Sequence, residues 1–216
     1  MGKEFLEIFE QWAESYDDSL TNDKEYEEVF RHYDNILSNV AKRSTGHVVE
    51  FGPGTGNLTL QLIEKGLKVT AIEPSPAMRK IAKDKIGAKA QLIEGDFLEF
   101  KLDFIPNTFV STYAFHHLTD QEKEEAIKQY SNFLPIGGKI VFADTMYVTK
   151  EAYYEAIKVA TEKGQHHLAE DLQREYYTTI PILTEILEKN GFSARFEKMN
   201  DFVWIMEGEK IDERGK

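Results

Sequence analysis

The sequence predicts an α/β fold, with a doubly wound, mostly parallel seven-stranded sheet whose last strand is antiparallel. Three observations lead to this prediction. From residue 47 onward, short apolar runs alternate with segments of helical hydrophobic spacing, which is typical of a parallel sheet covered by helices on both faces. The first strand runs into a glycine-rich turn, as in sheets that bind ligands at their carboxyl ends. The last two strands are only a few residues apart and therefore suit an antiparallel pair, because a parallel crossover needs about a dozen residues or more.

The elements follow one another in a single predicted domain, residues 1–216. Apolar residues at helical spacing in EFLEIFEQW, and again over residues 29–40, predict two amphipathic helices before the sheet. Short apolar runs predict strands at 47–51, 68–72, 90–94, 109–114, 138–144, 192–198 and 202–207. Helical spacing predicts further helices near 56–65, 75–85, 119–133, 150–176 and 180–190.

Composition narrows the functional classes. The 216 residues carry 26 Lys plus Arg against 38 Asp plus Glu, a net charge of −12 that disfavours nucleic acids and anionic membranes as partners. The chain has no cysteine, which excludes disulfides, cysteine-bound metals and a cysteine nucleophile. We find neither a signal peptide nor an apolar run of about 20 residues, so we expect a cytoplasmic protein without a membrane span.

The glycine-rich turn follows the first strand in VVEFGPGTGNLT. Gly52, Gly54 and Gly56 allow the backbone to turn sharply and to approach a ligand closely. A dinucleotide-binding turn would place its third glycine at position 57, where this chain has Asn57. Glu50 would repel a diphosphate and attract an ammonium group, so the turn favours a cationic ligand. An equally good interpretation gives Glu50 a hydrogen bond inside the fold and no ligand contact.

Two further acids follow the next strands. Glu73 comes directly after the second strand, where an acid accepts hydrogen bonds from ribose hydroxyls. Asp96 follows the third strand and could bind an adenine amino group. Together with the turn, these acids predict a small, positively charged ligand that carries ribose and adenine.

Four motifs occur in a fixed order: VVEFGPGTGNLT, AIEPSPAM, IEGDF and STYAFHHL. In this order and at these separations they resemble the motifs of class I S-adenosylmethionine-dependent methyltransferases, over about residues 40–145. The opening EFLEIFEQWAESYDDS is similar to the small YrrT-like methyltransferases of Bacillus. The resemblance implies a Rossmann-like fold with an N-terminal helical lid (1–42), a helical insert over the acceptor site (145–180), and S-adenosylmethionine as the cofactor.

The resemblance also implies which residues bind the cofactor. They are Gly52, Gly54, Gly56, Glu50, Glu73, Asp96, Phe97 and Tyr113. Glu73 would hold both ribose hydroxyls, and Asp96 and Phe97 would flank the adenine. Ser75 or Met78 could pack on the adenine, and the glycines would line the methionine part.

The catalytic residues are less defined than the cofactor residues. His116 or His117 could act as a general base, since imidazole titrates near neutral pH, or both could only shape the pocket wall. Adjacent histidines point in different directions, so we predict no metal site. Tyr16 could contact the carboxylate end of the cofactor or simply pack, and Arg31 could pair with that carboxylate.

Other aromatic and histidine residues have two interpretations. Tyrosines in the insert could cover the acceptor or form a helical packing stripe: Tyr153, Tyr154, Tyr176 and Tyr177. A second histidine pair, His166 and His167, lies in a polar helix, and we expect it at the surface.

The predicted function is methyl transfer to a small-molecule acceptor. The fourth strand lacks the Asn/Asp-Pro-Pro-Tyr/Phe motif that resembles amino-group methylation of nucleic-acid bases or glutamine. Two alternatives stay open: an NAD-dependent oxidoreductase on a similar sheet, and a non-catalytic S-adenosylmethionine-binding module. The sequence makes no prediction of the oligomeric state.

Overall fold

The computed structural model describes Ala13, Asp17, Leu20 and residues 22–212. The predicted first helix, in EFLEIFEQW, and Tyr16 lie outside the described residues. The helices are α1 (Glu27–Phe30), α2 (Tyr33–Arg43), α3 (Asn57–Glu64), α4 (Pro76–Ile86), α5 (Asp120–Phe133), α6 (Lys150–Glu162), α7 (His166–Arg174) and α8 (Ile180–Lys189). A 3₁₀ turn, Phe115–His117, precedes α5.

All of the main strands belong to one sheet. They are β1 (His47–Phe51), β2 (Lys68–Ile72), β3 (Gln91–Ile93), β4 (Thr108–Thr112), β5 (Lys139–Tyr147), β6 (Thr178–Thr179), β7 (Phe192–Lys198) and β8 (Val203–Lys210). The order is β3-β2-β1-β4-β5-β8-β7, with β8 antiparallel to both of its neighbours. The predicted fold class is confirmed. The added eighth strand, β6, is only two residues long and pairs with the end of β5.

Helices cover both faces of this sheet. Val48 and Val49, neighbours in β1, point into different hydrophobic clusters because side chains alternate across a strand. The cluster around Val48 includes Leu37 of α2 and Leu168 of α7. The cluster around Val49 includes Tyr130 of α5. The chain is therefore doubly wound, as the alternation of strands and helices predicts.

Two predicted helices are each divided in two. The helix predicted over 150–176 ends at Glu162, and α7 begins at His166, because Gly164 between them has φ +73°. The apolar stripe over 29–40 is divided between α1 and α2 by His32, whose φ is +66°. A hydrophobic stripe continues across such breaks, which is why periodicity alone did not show them.

The fourth strand ends earlier than predicted. The strand predicted at 109–114 ends at Thr112, because Tyr113 adopts φ +54° and turns the chain out of the sheet. This break lies beside β1, where the strand order changes direction. Ligands of open α/β sheets bind outside the carboxyl ends of the strands at such a point.

Candidate active site

The glycine turn after β1 has the geometry that its sequence predicts. Gly52, Gly54 and Gly56 have φ values of +61°, +55° and +92°. A Cβ on Gly52 would lie 2.9 Å from the Cβ of Ala114, so a side chain there would push two strand ends apart. A Cβ on Gly54 would meet nothing within 4 Å. The backbone at Gly54 is therefore open to a ligand.

Glu73 joins the end of β2 to this turn. One carboxylate oxygen accepts a hydrogen bond from the Gly54 amide (3.1 Å), and the other accepts one from the Ser75 amide (2.9 Å). The side chain is buried, and burial raises the pKa of Glu73 to about 7. Glu73 is thus a fixed acceptor whose position is set by two backbone amides.

A cleft opens at the carboxyl ends of β1, β2 and β4. Its described lining is Tyr33, Gly52, Pro53, Gly54, Asn57, Leu58, Glu73, Met78, Thr112, Tyr113, Ala114 and His117. Gly52, Gly54, Glu73 and Tyr113 are residues that the sequence analysis assigned to the cofactor.

Glu50 is buried behind the cleft rather than in its described lining. Its carboxylate accepts a hydrogen bond of 2.6 Å from the Thr59 hydroxyl, which ties β1 to α3. Burial raises the pKa of Glu50 to about 8, and the Thr59 hydroxyl only partly offsets this. Of the two interpretations left open by the sequence, the geometry supports the internal hydrogen bond.

Asp96 and Phe97 lie in the loop after β3. One oxygen of Asp96 accepts hydrogen bonds of 2.8 Å from the amides of Leu98 and Glu99. The Phe97 ring is 1% exposed and packs in the core against Phe51, 5.2 Å between ring centroids. Neither residue is in the described lining of the cleft, so their contact with adenine stays a prediction. The contact of Gly56 with the cofactor also stays a prediction.

The two histidines of the 3₁₀ turn differ in position. His116 lies between two carboxylates: Nδ1 is 2.7 Å from Asp144 and Nε2 is 3.1 Å from Glu175. Burial disfavours the charged ring, but these carboxylates outweigh it and raise the pKa of His116 to about 10. His116 is therefore protonated at neutral pH and cannot accept a proton there.

His117 lines the cleft and is only 4% exposed. Burial and the neighbouring charge of His116 lower the pKa of His117 to about 3. The ring is therefore neutral near pH 7. The His117 ring forms a polar part of the cleft wall beside Tyr113 and is only a weak base.

Comparisons with known proteins identify the family. A model described as a methyltransferase domain matches residues 48–138. A protein of Anoxybacillus flavithermus named uncharacterized methyltransferase is 56% identical over 212 residues, 97% of this chain and 100% of its own length. The uncharacterized methyltransferase YrrT of Bacillus subtilis is 50% identical, again over 97% of this chain and 100% of its own length. The chain belongs to the YrrT-like methyltransferases.

Solved structures match the fold of this methyltransferase. A DhpI–SAM–HEP complex covers 94% of this chain and 95% of its own, with a TM-score of 0.70 and 18% identity. Magnesium protoporphyrin IX methyltransferase of Synechocystis with bound SAH covers 94% and 99%, with a TM-score of 0.67 and 16% identity. The predictions of family, fold class and enzyme class are confirmed, and nothing in these comparisons supports an oxidoreductase.

Some lining residues of the methyltransferase cleft were missed by sequence reasoning. Tyr33 belongs to the apolar stripe of α2, yet its hydroxyl accepts a hydrogen bond of 3.3 Å from Nδ2 of Asn57. Its ring lies against Tyr113, 5.5 Å between centroids. Only the tertiary path of α2 brings Tyr33 to the glycine turn. Thr112 and Ala114 flank Tyr113, which is the only signal that pointed to them.

The segment before α1 contacts the glycine turn of the methyltransferase through Asp17. Its carboxylate accepts hydrogen bonds from the Thr55 hydroxyl (2.7 Å) and from Nδ2 of Asn57 (3.0 Å), and pairs with Lys85 at 2.6 Å. Arg31, considered for the cofactor carboxylate, instead pairs with Asp201 at 2.6 Å on the surface.

Residues of the predicted insert, 145–180, contact the segment around α1 of the methyltransferase. The Tyr26 hydroxyl donates to Asp171 of α7, and Lys163 pairs with Glu28 at 2.7 Å. Among the insert tyrosines, Tyr177 stacks on His116 at 5.0 Å between centroids and Tyr153 donates to the Leu172 carbonyl. The other two are exposed: Tyr154 and Tyr176.

Two smaller predictions concern the surface of the methyltransferase. His166 and His167 are exposed, as expected. In the described part of the chain, no helix combines the length and the apolar character that a membrane span requires.

Proposed function

We propose that this enzyme transfers the methyl group of S-adenosylmethionine to a small-molecule acceptor. S-adenosylmethionine is the cofactor: DhpI is described with SAM and SAH, and the Synechocystis methyltransferase with SAH. The single observation that carries the proposal is Glu73, which presents its carboxylate to the cleft from the end of β2. That is the position from which an acid binds ribose hydroxyls.

The charge of the cleft supports a cationic ligand. Among the described residues that line it, Glu73 is the ionisable acid and none is a lysine or arginine. Glu50 lies behind the wall, and a cation in the cleft would favour its ionised form. A diphosphate would meet no cationic partner among these residues, whereas a sulfonium would meet a favourable field. This argues against the dinucleotide alternative.

The acceptor is proposed to lie under two helical segments. Residues 1–42 would form the lid, and residues 145–180 would cover the acceptor side. The contact of Asp17 with Thr55 at the glycine turn supports the first assignment, and the stacking of Tyr177 on His116 supports the second. A covered cleft and a net charge of −12 favour a small molecule over a nucleic acid.

The residues of the cleft would act mainly by alignment and exclusion of water. The donor supplies a methyl group that its sulfonium charge already activates, and in-line alignment of the two reactants can be worth roughly 7–11 kcal/mol. Tyr113, held in a turned conformation, packs against Phe30 at 5.3 Å between centroids and fixes one wall. His117 would face the acceptor as a neutral ring.

Calorimetry tests the cofactor site. We expect the protein to bind SAM and SAH but not NADH, and Glu73→Ala to weaken SAM binding at least tenfold. Glu73→Gln would keep part of the affinity, since an amide oxygen still accepts a hydrogen bond. Glu94→Ala is the matched control, because Glu94 is an exposed acid after β3. Unchanged SAM affinity in Glu73→Ala, or binding of NADH alone, would refute the assignment.

Product formation tests catalysis itself. The enzyme is incubated with methyl-labelled SAM and size-fractionated extracts, and labelled products are followed together with SAH. Label in the small-molecule fraction supports the proposal. Label only in protein or nucleic acid contradicts the acceptor class, and SAM binding without any labelled product would favour a non-catalytic module.

A further inference from the structure

A group of potential metal ligands lies behind the acceptor side of the cleft. His116, His117 and Glu175 each offer one ligand atom, and these atoms all lie within 4.8 Å of one another. The histidines come from the 3₁₀ turn and Glu175 comes from the end of α7, so the fold brings together residues that are distant in sequence. All three are largely buried: the side chains of His116 and Glu175 are each 11% exposed, and His117 is 4% exposed.

The residues around this group fix the orientation of its ligand atoms. Asp144 is 2.7 Å from Nδ1 of His116 and also accepts the His116 amide at 3.0 Å. The other ring nitrogen, Nε2, therefore faces Glu175. The Tyr177 hydroxyl donates to the Glu175 carboxylate at 2.8 Å. A carboxylate behind a ligating imidazole and a donor behind a ligating carboxylate are the usual outer partners of a metal centre.

The measured spacing also suits an ion between His116 and Glu175. Nε2 and the Glu175 oxygen are 3.1 Å apart. Two ligands at about 2.1 Å from a tetrahedral zinc ion would be roughly 3.4 Å apart, so little movement is needed. The nearby Lys123 ammonium is engaged by backbone carbonyls, including that of Tyr176 at 2.7 Å. Asp144 faces Nδ1 of His116, and Glu175 faces Nε2.

We propose that His116 Nε2, His117 and Glu175 bind a zinc-class divalent ion, with one coordination position open toward the cleft. Nitrogen and carboxylate ligands of this kind are typical of zinc, and three protein ligands are typical of a catalytic site with an open fourth position. His117 lines the cleft and so places that position on the acceptor side. The ion replaces the proton that His116 and Glu175 share, and this proton goes to water.

The ion would determine which chemical groups can serve as methyl acceptors. This role rests on the proposed function. An acceptor thiol or hydroxyl would bind through its sulfur or oxygen and lose its proton to water more readily. The sequence predicted no metal because two adjacent histidines diverge. The fold supplies the third ligand from α7.

The test uses untagged full-length protein freed of metal by chelator and titrated with Zn²⁺ by calorimetry. We expect one ion per chain, with affinity at least tenfold weaker in His117→Ala and in Glu175→Gln. The matched control is the double variant His166→Ala/His167→Ala, which removes an exposed adjacent pair and should change nothing. Asp144→Asn should weaken binding by about 10–100-fold through the orientation of His116.

The absorption spectrum of the Co²⁺-bound wild type provides a second test that does not depend on the folding of any variant. Co²⁺ bound to the wild type should give the visible bands of a four- or five-coordinate site, and a small thiol should add a sulfur-to-cobalt charge-transfer band. Absence of Zn²⁺ binding by the wild type, binding unaffected by His117→Ala, or loss of binding in the surface control would each overturn the proposal. If Zn²⁺ binds but SAM does not, the proposed function fails and the metal site stands. If SAM binds but Zn²⁺ does not, the metal site alone fails.

Discussion

Glu50→Gln should stabilise the protein, and more so as the pH rises. Glu50 is 1% exposed, and its folded pKa of about 8 lies above its unfolded value of 4.5. A group with a raised folded pKa binds more protons in the folded state, so it lowers stability as the pH rises through this window. Gln is the same size and can still accept the Thr59 hydroxyl, but it carries no charge.

The magnitude follows from the two pKa values. At 1.36 kcal/mol per pH unit, the carboxylate costs up to about 3 kcal/mol at pH 7 and less than about 1 kcal/mol at pH 5. Urea unfolding of both proteins at pH 5, 6, 7 and 8 measures the difference, in which all other groups cancel. The reasoning fails if the difference in unfolding free energy between variant and wild type is the same at every pH, or if the variant loses stability relative to the wild type as the pH rises. Either result would show that Glu50 is ionised with contacts that favour its charge.

Three further predictions concern the cleft. Gly54→Ala should weaken SAM binding about tenfold, because its Cβ points into open space that a ligand would occupy, whereas Gly66→Ala carries similar backbone strain outside the cleft and should not. Asp17→Ala should weaken SAM binding a few-fold by releasing the segment from the glycine turn, whereas Arg31→Ala should leave it unchanged. Glu50→Gln should weaken SAM more than SAH, since only SAM carries the sulfonium charge.

Each of these predictions has a clear contrary result, all read by calorimetry with SAM and SAH. Equal loss of affinity in Gly54→Ala and Gly66→Ala would indicate that backbone strain, not contact with the ligand, sets the effect. Equal loss of SAM affinity in Asp17→Ala and Arg31→Ala would show that the contact of Asp17 with the glycine turn does not support cofactor binding. An unchanged ratio of SAM to SAH affinity in Glu50→Gln would show that the buried acid does not act on the sulfonium.

The sequence was informative where a residue's role is local. The three glycines and Glu73 could be placed because a turn after a strand, and an acid at the end of the next strand, have the same geometry in every open α/β sheet. Phe97 shows the limit of such reasoning. The resemblance implies that Phe97 flanks the adenine, but its ring is buried in the core against Phe51, and the adenine contact stays a prediction.

Roles that depend on distant segments were not predictable from the sequence. His116 and His117 are neighbours in the chain, yet their pKa values move in opposite directions. The difference comes from Asp144 in β5 and from Glu175 directly after α7, both of which face His116. No spacing in the sequence shows that α7 folds back onto the 3₁₀ turn, since that depends on the break at Gly164.

The buried acids near the glycine turn are best explained by the ligand rather than by the fold. The raised pKa values of Glu50 and Glu73 mean that each carboxylate destabilises the free protein when it is ionised. Glutamine at position 50 could accept the Thr59 hydroxyl without this cost, whereas at position 73 it could accept only one of the two backbone amides that the carboxylate binds. A sulfonium in the cleft would supply the missing positive charge and lower both pKa values. We therefore expect SAM binding to release protons near neutral pH, and SAH binding to release fewer, a difference that calorimetry in buffers of different ionisation enthalpy measures directly.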